Sequence, residues 1–277
     1  MKTCVLTGAS SGIGRALAEQ LAAAGFDLIL LGRDPSRLDE AVARAKERAP
    51  AGRSVRPLVA DLSTLGGARA VARELLAAAP RIDVLIHNAG ILPTERRLTA
   101  DGFEESFATN HLAPFVLNHA LRERLIASAP ARIVQVSAGL YVKGRVDLMQ
   151  GPQGLPFGAF TTYGTSKLWN LYATLELARE LDGSGVTVNA VHPGVVRTRL
   201  GELPGWKGAL LQLVKRLWAT PEQGAAGPLH LAADPALQAV TGRYFDRTRE
   251  VPLHPVARDP ELGPRIVERT RALIGEP

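Results

Sequence analysis

The sequence contains one cysteine, few aromatic residues and no long hydrophobic segment. Cys4 cannot form an internal disulfide, which excludes a disulfide-stabilised secreted scaffold, and we expect it to be a small buried side chain in a first strand. The apolar segments, such as residues 28–31, are much shorter than the roughly 20 residues that a membrane-spanning helix needs. No basic leader, apolar stretch and cleavage site follow one another near Met1, so no signal peptide is expected. These absences predict a cytoplasmic protein with no membrane partner.

The chain is basic overall, but it has no block of like charge. Its 33 Lys and Arg residues exceed its 27 Asp and Glu residues, which gives a formal net charge of +6. The basic residues are scattered and no basic segment carries interleaved aromatic side chains, so nucleic acid is not an expected partner. A basic surface also attracts small polyanions, including a phosphorylated cofactor.

Strand-like apolar runs alternate with helical segments over most of the 277 residues. Several runs are apolar throughout, as in parallel strands that are covered on both faces. The predicted strands are Thr3–Thr7, Asp27–Leu31, Val55–Val59, Ile82–His87, Arg132–Ser137, Val186–Val191 and Gly242–Phe245. The predicted helices are Gly12–Ala24, Pro35–Arg48, Thr64–Ala79, Thr99–Ala127, Thr161–Leu181 and Pro221–Ala233. This alternation predicts an α/β fold of Rossmann type, a doubly wound parallel sheet of about seven strands with helices on both faces.

Two segments interrupt the alternation within what we expect to be a single domain over residues 1–277. Residues 140–160 form an insertion with glycine and proline, and residues 200–219 form an apolar segment that contains Trp206 and Trp218. Both segments follow the carboxyl ends of strands, where doubly wound sheets bind ligands. We expect a substrate-pocket wall at the first and a lid at the second; ordinary surface loops are the alternative.

The first strand runs into Thr7-Gly8-Ala9-Ser10-Ser11-Gly12-Ile13-Gly14, which a helix follows. In this context Gly8 permits a tight turn, Gly12 lets a pyrophosphate approach the backbone, and Gly14 allows close packing of the helix on the strand. The helix N-terminus adds free N–H groups and the positive end of its dipole. The residues predicted to hold a dinucleotide here are Gly8, Ser10, Ser11, Gly12, Ile13 and Gly14.

The glycine spacing resembles that of short-chain dehydrogenases/reductases, and further segments carry the same resemblance. They are Asp61-Leu62, His87-Asn88-Ala89-Gly90, Ser137, Tyr163 with Lys167, and Pro193-Gly194-Val195-Val196-Arg197-Thr198. His87 stands where the family has asparagine. The insertion before Tyr163 and the segment from Val191 to Thr198 look most like the retinol-dehydrogenase-related branch. The resemblance implies that the cofactor is also bound by Asp61, Leu62, Asn88, Ala89, Gly90, Pro193, Gly194, Val196 and Thr198.

The end of the second strand, where the adenine ribose would lie, carries Gly32 and Arg33. NAD-selective folds usually place an acid there to accept from the ribose hydroxyls. Arg33 instead offers a guanidinium fork suited to a 2′-phosphate, and Asp34 is better explained as the N-cap of a helix that begins at Pro35. We therefore predict NADP (NADPH) as the cofactor. NAD is the less favoured alternative, with Arg33 a solvated turn residue.

Tyr163 and Lys167 are four residues apart, which places both on one face of a helix. A carbonyl that accepts a hydride becomes an alkoxide and needs a proton, and alcohol oxidation needs the reverse. Free tyrosine has a pKa near 10, so Lys167 and an oxidised nicotinamide would be needed to favour its phenolate. We interpret Tyr163 as the acid/base and Lys167 as its electrostatic partner, also placed to bind the nicotinamide ribose. Ser137 would orient the substrate oxygen.

Asn110 resembles the fourth catalytic residue of the family. Pro114 lies four residues later and has no N–H, so the carbonyl of Asn110 loses its partner within the helix. The resemblance implies that this carbonyl holds a water that links Lys167 to solvent. A plain helix kink is the alternative.

Together these features predict an oxidoreductase that interconverts a ketone or aldehyde and an alcohol with NADP. The alternatives are an NAD-dependent alcohol dehydrogenase of the same family and a non-catalytic dinucleotide-sensing regulator, which would have no need of proton transfer. The six histidines lack the spacing of a metal site, so no metal is expected. The apolar lid predicts an apolar small-molecule substrate. The resemblance also implies a homodimer or homotetramer that pairs through the helices near Thr99–Ala127 and Thr161–Leu181.

Overall fold

The computed structural model describes residues 2–197 and 218–275, within which helices flank an eight-stranded sheet. The strands are β1 (Thr3–Leu6), β2 (Asp27–Gly32), β3 (Val55–Val59), β4 (Val84–His87), β5 (Ala131–Val136), β6 (Val186–His192), β7 (Tyr244–Asp246) and β8 (Arg249–Glu250). Their order across the sheet is β3-β2-β1-β4-β5-β6-β7-β8. Neighbouring strands pair in parallel except β8, which is antiparallel to β7. The predicted α/β fold with a doubly wound parallel sheet is confirmed.

The expected count of about seven strands omits β8. This strand has 2 residues and forms a hairpin with β7, in which Phe245 pairs with Glu250 and Asp246 pairs with Arg249. A strand this short gives no period-two alternation, so the sequence pattern cannot reveal it. The other seven strands form close to their predicted positions.

The helices are α1 (Gly12–Ala23), α2 (Pro35–Arg48), α3 (Leu65–Ala78), α4 (Glu105–Phe107), α5 (Ala113–Ala120), α6 (Arg122–Ala127), α7 (Ala159–Glu180), α8 (Pro221–Ala233) and α9 (Leu262–Ile274). The prediction of one continuous helix over Thr99–Ala127 is wrong. That stretch contains α4, a π-helical turn at Ala108–Leu112, α5 and α6. Pro114 lies in the first turn of α5 and lacks the N–H that a continuous α-helix would use there.

Polar side chains cap the helices that follow β2 and β3. Asp34 accepts a hydrogen bond from the Arg37 N–H at 3.2 Å, which confirms it as the N-cap of α2. Thr64 accepts from the Gly67 N–H at 3.1 Å and caps α3. Such caps satisfy N–H groups that have no partner within the helix. They define where α2 and α3 begin, close to the carboxyl edge of the sheet.

The core lies in two layers, one on each face of the sheet. One layer joins strand residues such as Leu85 to α7 through Leu168 and Trp169. The other joins the strands to α1, α2 and α8 and includes Leu17 and Cys4. Cys4 is fully buried, and burial raises the pKa of its thiol. It is therefore a small core side chain, as the sequence predicts.

The C-terminal helix α9, which the sequence pattern did not reveal, packs against α7. Ile266 and Ile274 of α9 join the core layer that contains α7. The hydroxyl of Thr270 lies 2.9 Å from Nε2 of His111, and both side chains are fully buried. Helix α9 therefore covers part of α7 and the buried His111 side chain. A homo-oligomer remains a prediction.

Replacing Ile266 with Ala should lower the free energy of unfolding by about 2–5 kcal/mol, the range for large-to-small changes in a core. Ile266 has no exposed surface and packs in the layer beneath α9. Denaturant unfolding measures the loss. The matched control is Arg265→Ala, at an exposed position of the same helix. Equal stability of the two variants would contradict the packing of α9 on the core.

The insertion at residues 140–160 is fixed to α7 on one side. It contains 3₁₀ turns at Gly139–Lys143 and Gly151–Gln153. A Cβ at Gly144 would lie 2.5 Å from the carbonyl oxygen of Gly164 in α7, so the backbones touch there. The part of the insertion around Gly144 therefore packs against α7.

The predicted lid at residues 200–219 lies outside the described residues, apart from Trp218 and Ala219. Within the described parts of the chain, no helix is both long and apolar enough to cross a membrane.

Candidate active site

The loop between β1 and α1 has a backbone that only glycine allows. Gly8 and Gly12 have positive φ angles of 68° and 52°, a region that side chains disfavour. A Cβ at Gly14 would lie 2.0 Å from the carbonyl oxygen of Gly8. Ser11, the N-cap of α1, makes no side-chain cap hydrogen bond, so the first N–H groups of α1 can bind an anion. This loop fits the pyrophosphate of a dinucleotide.

Thr7 and Asn88 hold the glycine loop against the end of β4. The amide Nδ2 of Asn88 donates to the carbonyl oxygens of Thr7 and Gly8 at 3.0 and 3.1 Å. The Thr7 hydroxyl accepts from the N–H groups of Asn88 and Ala89, both at 3.0 Å. The motif alone does not single out Thr7 as a site residue, although it immediately precedes the first glycine.

A cleft of about 840 Å³ opens at the carboxyl edge of β1, β2, β3 and β4. Its volume falls within the roughly 300–1,000 Å³ of small-molecule sites. The predicted cofactor residues that line it are Gly8, Ser10, Ser11, Gly12, Ile13, Gly14, Arg33, Asp61, Leu62, Asn88, Ala89 and Gly90. Arg37, Glu95 and Arg97 also line the cleft, and no motif indicated them.

Gly32 and Arg33 form the wall of this cleft at the end of β2. A Cβ at Gly32 would lie 3.1 Å from Cβ of Ser10, so an acidic side chain there would crowd the glycine loop. Arg33 is exposed, and Arg37 forms an ion pair with Asp34 at 3.4 Å. This end of the cleft therefore presents a guanidinium at position 33 and no carboxylate at position 32.

The segment after β6 reaches the glycine loop through Val196. A Cβ at Gly224 of α8 would lie 2.6 Å from the Val196 side chain and 3.1 Å from that of Ile13, so the three residues meet. Of the four cofactor residues predicted in this segment, the structure describes Pro193, Gly194 and Val196, whereas Thr198 lies outside the described residues.

Tyr163 and Lys167 lie on α7 with their side chains buried, and Nζ of Lys167 is 5.8 Å from the centre of the Tyr163 ring. Nζ donates to the carbonyl oxygen of Val136, the last residue of β5, at 3.0 Å. Ser137 follows directly, and its N–H donates to the Val191 carbonyl in β6 at 2.8 Å. Helix α7 therefore brings Tyr163 and Lys167 to the end of the strand that precedes Ser137.

Asn110 connects the π-helical turn to α7 and to the loop after β4. Its Nδ2 donates to Oγ of Ser166 at 2.9 Å and to the Ile91 carbonyl at 3.0 Å, while Oδ1 accepts from the Ile91 N–H at 2.9 Å. The Ser166 hydroxyl donates to the Tyr163 carbonyl at 2.7 Å. The Asn110 side chain thus connects the π-helical turn, α7 and the loop after β4.

Gly90 lies between Asn110 and Lys167. A Cβ at this position would be 3.2 Å from Oδ1 of Asn110 and 3.5 Å from Nζ of Lys167. The four residues predicted to be catalytic, Asn110, Ser137, Tyr163 and Lys167, therefore lie in one neighbourhood beside the carboxyl ends of β4 and β5.

Burial controls the protonation of Tyr163 and Lys167 in the protein alone. It raises the pKa of Tyr163 and lowers the pKa of Lys167 to about 8, because each charged form loses its water. The expected lowering of the Tyr163 pKa by Lys167 is not seen. Nζ is bonded to Val136, and at 5.8 Å from the phenol ring its charge does not offset the desolvation. Tyr163 therefore holds its proton at neutral pH.

Comparison with known proteins identifies the family to which this chain belongs. The family model for short chain dehydrogenase matches residues 2–203. The chain belongs to the short-chain dehydrogenase family. It is 38% identical to mouse retinol dehydrogenase 14 over 289 residues, which cover 99% of this chain and 86% of that protein. Human retinol dehydrogenase 13 is 37% identical over 281 residues, with 99% and 85% covered.

This short-chain dehydrogenase is therefore related to retinol dehydrogenases and is an NAD(P)-dependent oxidoreductase that acts on CH–OH groups. Among solved structures, a protein from Mycobacterium paratuberculosis is similar with a TM-score of 0.79 and 28% identity, covering 100% of this chain and 94% of that one. A short chain dehydrogenase from Burkholderia cenocepacia in complex with NADP has a TM-score of 0.71 and 26% identity, with 88% and 95% covered.

His87, which replaces the family's asparagine, joins β4 to α5. Its Nε2 lies 2.7 Å from Oδ1 of Asn118, and burial lowers its pKa to about 4. The ring is neutral at pH 7 and so can donate one hydrogen bond to the amide oxygen. His111 is also buried, with a pKa lowered to about 3. Within the described residues of this short-chain dehydrogenase, no group of three or more His, Cys, Asp or Glu side chains could hold a metal.

Replacing Pro114 with Ala should lower turnover with little change in cofactor affinity. The new N–H favours an α-helical bond to the Asn110 carbonyl, which would shift the π-helical turn and the contacts of Asn110 with Ile91 and Ser166. Steady-state kinetics and cofactor titration measure the two effects. Pro235→Ala, at an exposed first-turn proline, is the control. An unchanged turnover number would reduce Pro114 to a packing residue.

Proposed function

We propose that this short-chain dehydrogenase interconverts an apolar ketone or aldehyde and its alcohol with NADP(H). The observation that carries the proposal is the convergence of Ser137, Tyr163 and Lys167 beside a cleft lined by the glycine loop. Arg33 at the ribose end supports NADP over NAD, because its guanidinium suits a 2′-phosphate and position 32 carries glycine instead of an acid.

The cofactor would be held by the glycine loop and the first turn of α1 at its pyrophosphate. Asp61 and Leu62 would lie at the adenine, and Asn88, Ala89 and Gly90 would lie along the cleft towards Lys167. Pro193, Gly194, Val196 and Thr198 would close the nicotinamide side, as the family resemblance implies. When bound, the coenzyme supplies hydride in reduction and accepts it in oxidation.

Tyr163 would transfer the proton that balances each hydride transfer. In reduction its phenol donates a proton to the oxygen of the former carbonyl, which becomes the alcohol. Lys167, largely protonated below its pKa of about 8, stabilises the phenolate left on Tyr163. Ser137 donates a hydrogen bond to the same substrate oxygen. The Asn110 carbonyl would hold a water that returns a proton through Lys167.

Burial raises the pKa of Tyr163 in the protein without coenzyme, so the phenol is present at neutral pH as the acid that carbonyl reduction uses. Alcohol oxidation needs the phenolate and therefore becomes faster as pH rises. This pH dependence follows from the protonation state of Tyr163. As pH approaches the pKa of Tyr163, its acid form is lost and its base form is gained.

An apolar substrate is supported by exposed hydrophobic side chains close in sequence to the site residues. Val142, Phe160 and Val195 are 41%, 59% and 58% exposed, and each lies within a few residues of Ser137, Tyr163 or Pro193. Large apolar side chains in water favour contact with an apolar ligand. The relatives named retinol dehydrogenases point to long apolar alcohols and aldehydes.

The test is a panel of ketones and aldehydes of increasing apolar length, including retinal, assayed with NADPH and with NADH. We expect coenzyme oxidation that is faster with NADPH and more efficient for longer apolar carbonyls. Preference for short polar carbonyls would contradict the substrate class. Coenzyme binding with no turnover on any member would instead support the regulator alternative, although a regulator has no need of the buried Tyr163–Lys167 arrangement.

A further inference from the structure

Ser137 has a buried hydroxyl with unused hydrogen-bonding capacity. The residue is 4% exposed, and its Oγ has no hydrogen-bond partner among the described residues. A serine hydroxyl has one donor and two acceptor positions, and leaving all of them unpaired in a protein interior costs free energy. In the proposed function the substrate oxygen accepts a hydrogen bond from the Ser137 hydroxyl. The acceptor positions of Oγ still need a donor.

Tyr244 of β7 supplies a hydroxyl on the same face of the sheet as Ser137. Tyr244 pairs with Ala190 in β6, and Ala190 pairs with Gln135 in β5. Because strand side chains alternate between faces, Ser137, two residues beyond Gln135, points to the Tyr244 side. Tyr244 is 6% exposed, and the Ser137 hydroxyl beside it lowers the pKa of its phenol.

The Tyr244 ring is fixed by a second tyrosine. The rings of Tyr141 and Tyr244 meet edge to face, with centroids 5.4 Å apart and planes at 73°. The Tyr141 hydroxyl accepts from the His254 N–H at 2.9 Å and so holds the pair in place. Burial, Tyr141 and Asp246 raise the pKa of Tyr244, more than its contact with Ser137 lowers it. Tyr244 is therefore a phenol that can donate.

The geometry points to Tyr244 as a positioning residue whose hydroxyl donates to Oγ of Ser137 and turns the Ser137 proton towards the substrate oxygen. The inference rests on the proposed function. When the Ser137 hydroxyl donates its hydrogen bond to the substrate, the lone pairs of Oγ remain free to accept one from Tyr244. A donor on Oγ also polarises the O–H bond and strengthens its hydrogen bond to the substrate. None of the motifs that define the cofactor and catalytic residues includes Tyr244.

Tyr244→Phe should lower kcat for carbonyl reduction about five- to tenfold, the usual effect of one hydrogen bond, and leave the Kd for NADPH unchanged. The matched control is Tyr172→Phe, which also removes a buried hydroxyl, one that donates to the Val256 carbonyl at 3.0 Å away from the catalytic residues. Its kcat should stay within about twofold of the unaltered enzyme. Equal kcat for Tyr244→Phe and the unaltered enzyme would overturn the inference.

A double-mutant cycle separates action through Ser137 from a general packing effect. In a Ser137→Ala background, Tyr244→Phe should cause no further loss of kcat, since the acceptor is already gone. A multiplicative loss in the double variant would show that Tyr244 acts by another route. The midpoints of urea unfolding for the same four proteins should also be coupled, because two neighbouring buried side chains contribute non-additively to stability; additive midpoints would count against the contact.

The unfolding cycle keeps failure of this inference distinct from failure of the proposed function. If the unaltered chain oxidises no coenzyme with any carbonyl, the proposed function fails, and the coupling of the urea midpoints alone decides whether Ser137 and Tyr244 interact. If the chain is active, normal kcat in Tyr244→Phe overturns only the positioning role.

Discussion

Tyr163→Phe should retain cofactor binding and lose carbonyl reduction by about 10²–10⁴-fold, the range expected of acid–base catalysis. The substitution removes one hydroxyl from α7 and keeps the buried ring beside Lys167. Because burial keeps Tyr163 protonated at neutral pH, the loss removes the proton donor itself. Single-turnover kinetics with saturating NADPH measures the chemical step, and NADPH titration measures binding.

The control for Tyr163→Phe is again Tyr172→Phe, nine positions further along the same helix. It should bind cofactor and turn over at close to the unaltered rate. If Tyr163→Phe kept more than about a tenth of the unaltered rate, well above the range for a lost acid, Tyr163 would not be the proton donor. A loss of cofactor affinity equal to the loss of rate would point to a binding role instead.

Arg33→Ala should reduce kcat/KM with NADPH about ten- to a hundredfold and leave kcat/KM with NADH nearly unchanged. A charge-assisted hydrogen bond to a phosphate contributes about 1.5–3 kcal/mol, which corresponds to that range of affinity. Only NADPH carries the 2′-phosphate, so the loss should be confined to it. Arg44→Ala is the control, because it removes the same charge from an exposed position on α2 that does not line the cleft.

The double variant Gly32→Asp with Arg33→Leu should reverse the preference towards NADH. The new carboxylate would accept from the ribose hydroxyls of NADH and repel a 2′-phosphate. A Cβ at position 32 would lie 3.1 Å from Cβ of Ser10, so we also expect the double variant to have a lower free energy of unfolding than Arg33→Ala. An unaltered enzyme that uses NADH as well as NADPH would contradict the assigned coenzyme and leave the oxidoreductase activity in place.

Local sequence patterns were sufficient to predict most of the strands and helices. The β3 strand Val55–Val59 and the helices Pro35–Arg48 and Pro221–Ala233 have the predicted bounds. Their signals are short-range: apolar runs for strands, and an N-cap followed by proline for helices. Where the signal was weak, as in the two-residue β8 and in α9, prediction missed the element. In Thr99–Ala127 the helical pattern was continuous, but Pro114 and the π-helical turn divide the helix.

The sequence by itself determined the α/β class, the glycine loop and the residue types needed for hydride and proton transfer, because these depend on spacing within one or two elements. Only the tertiary structure decided which groups meet across elements. Asn88 reaches the Thr7 and Gly8 carbonyls, Lys167 reaches Val136, and the pairing of β5, β6 and β7 places Tyr244 on the same face of the sheet as Ser137. Burial also raises the pKa of Tyr163 in the protein without coenzyme, since desolvation depends on everything packed around a group rather than on its neighbours in sequence.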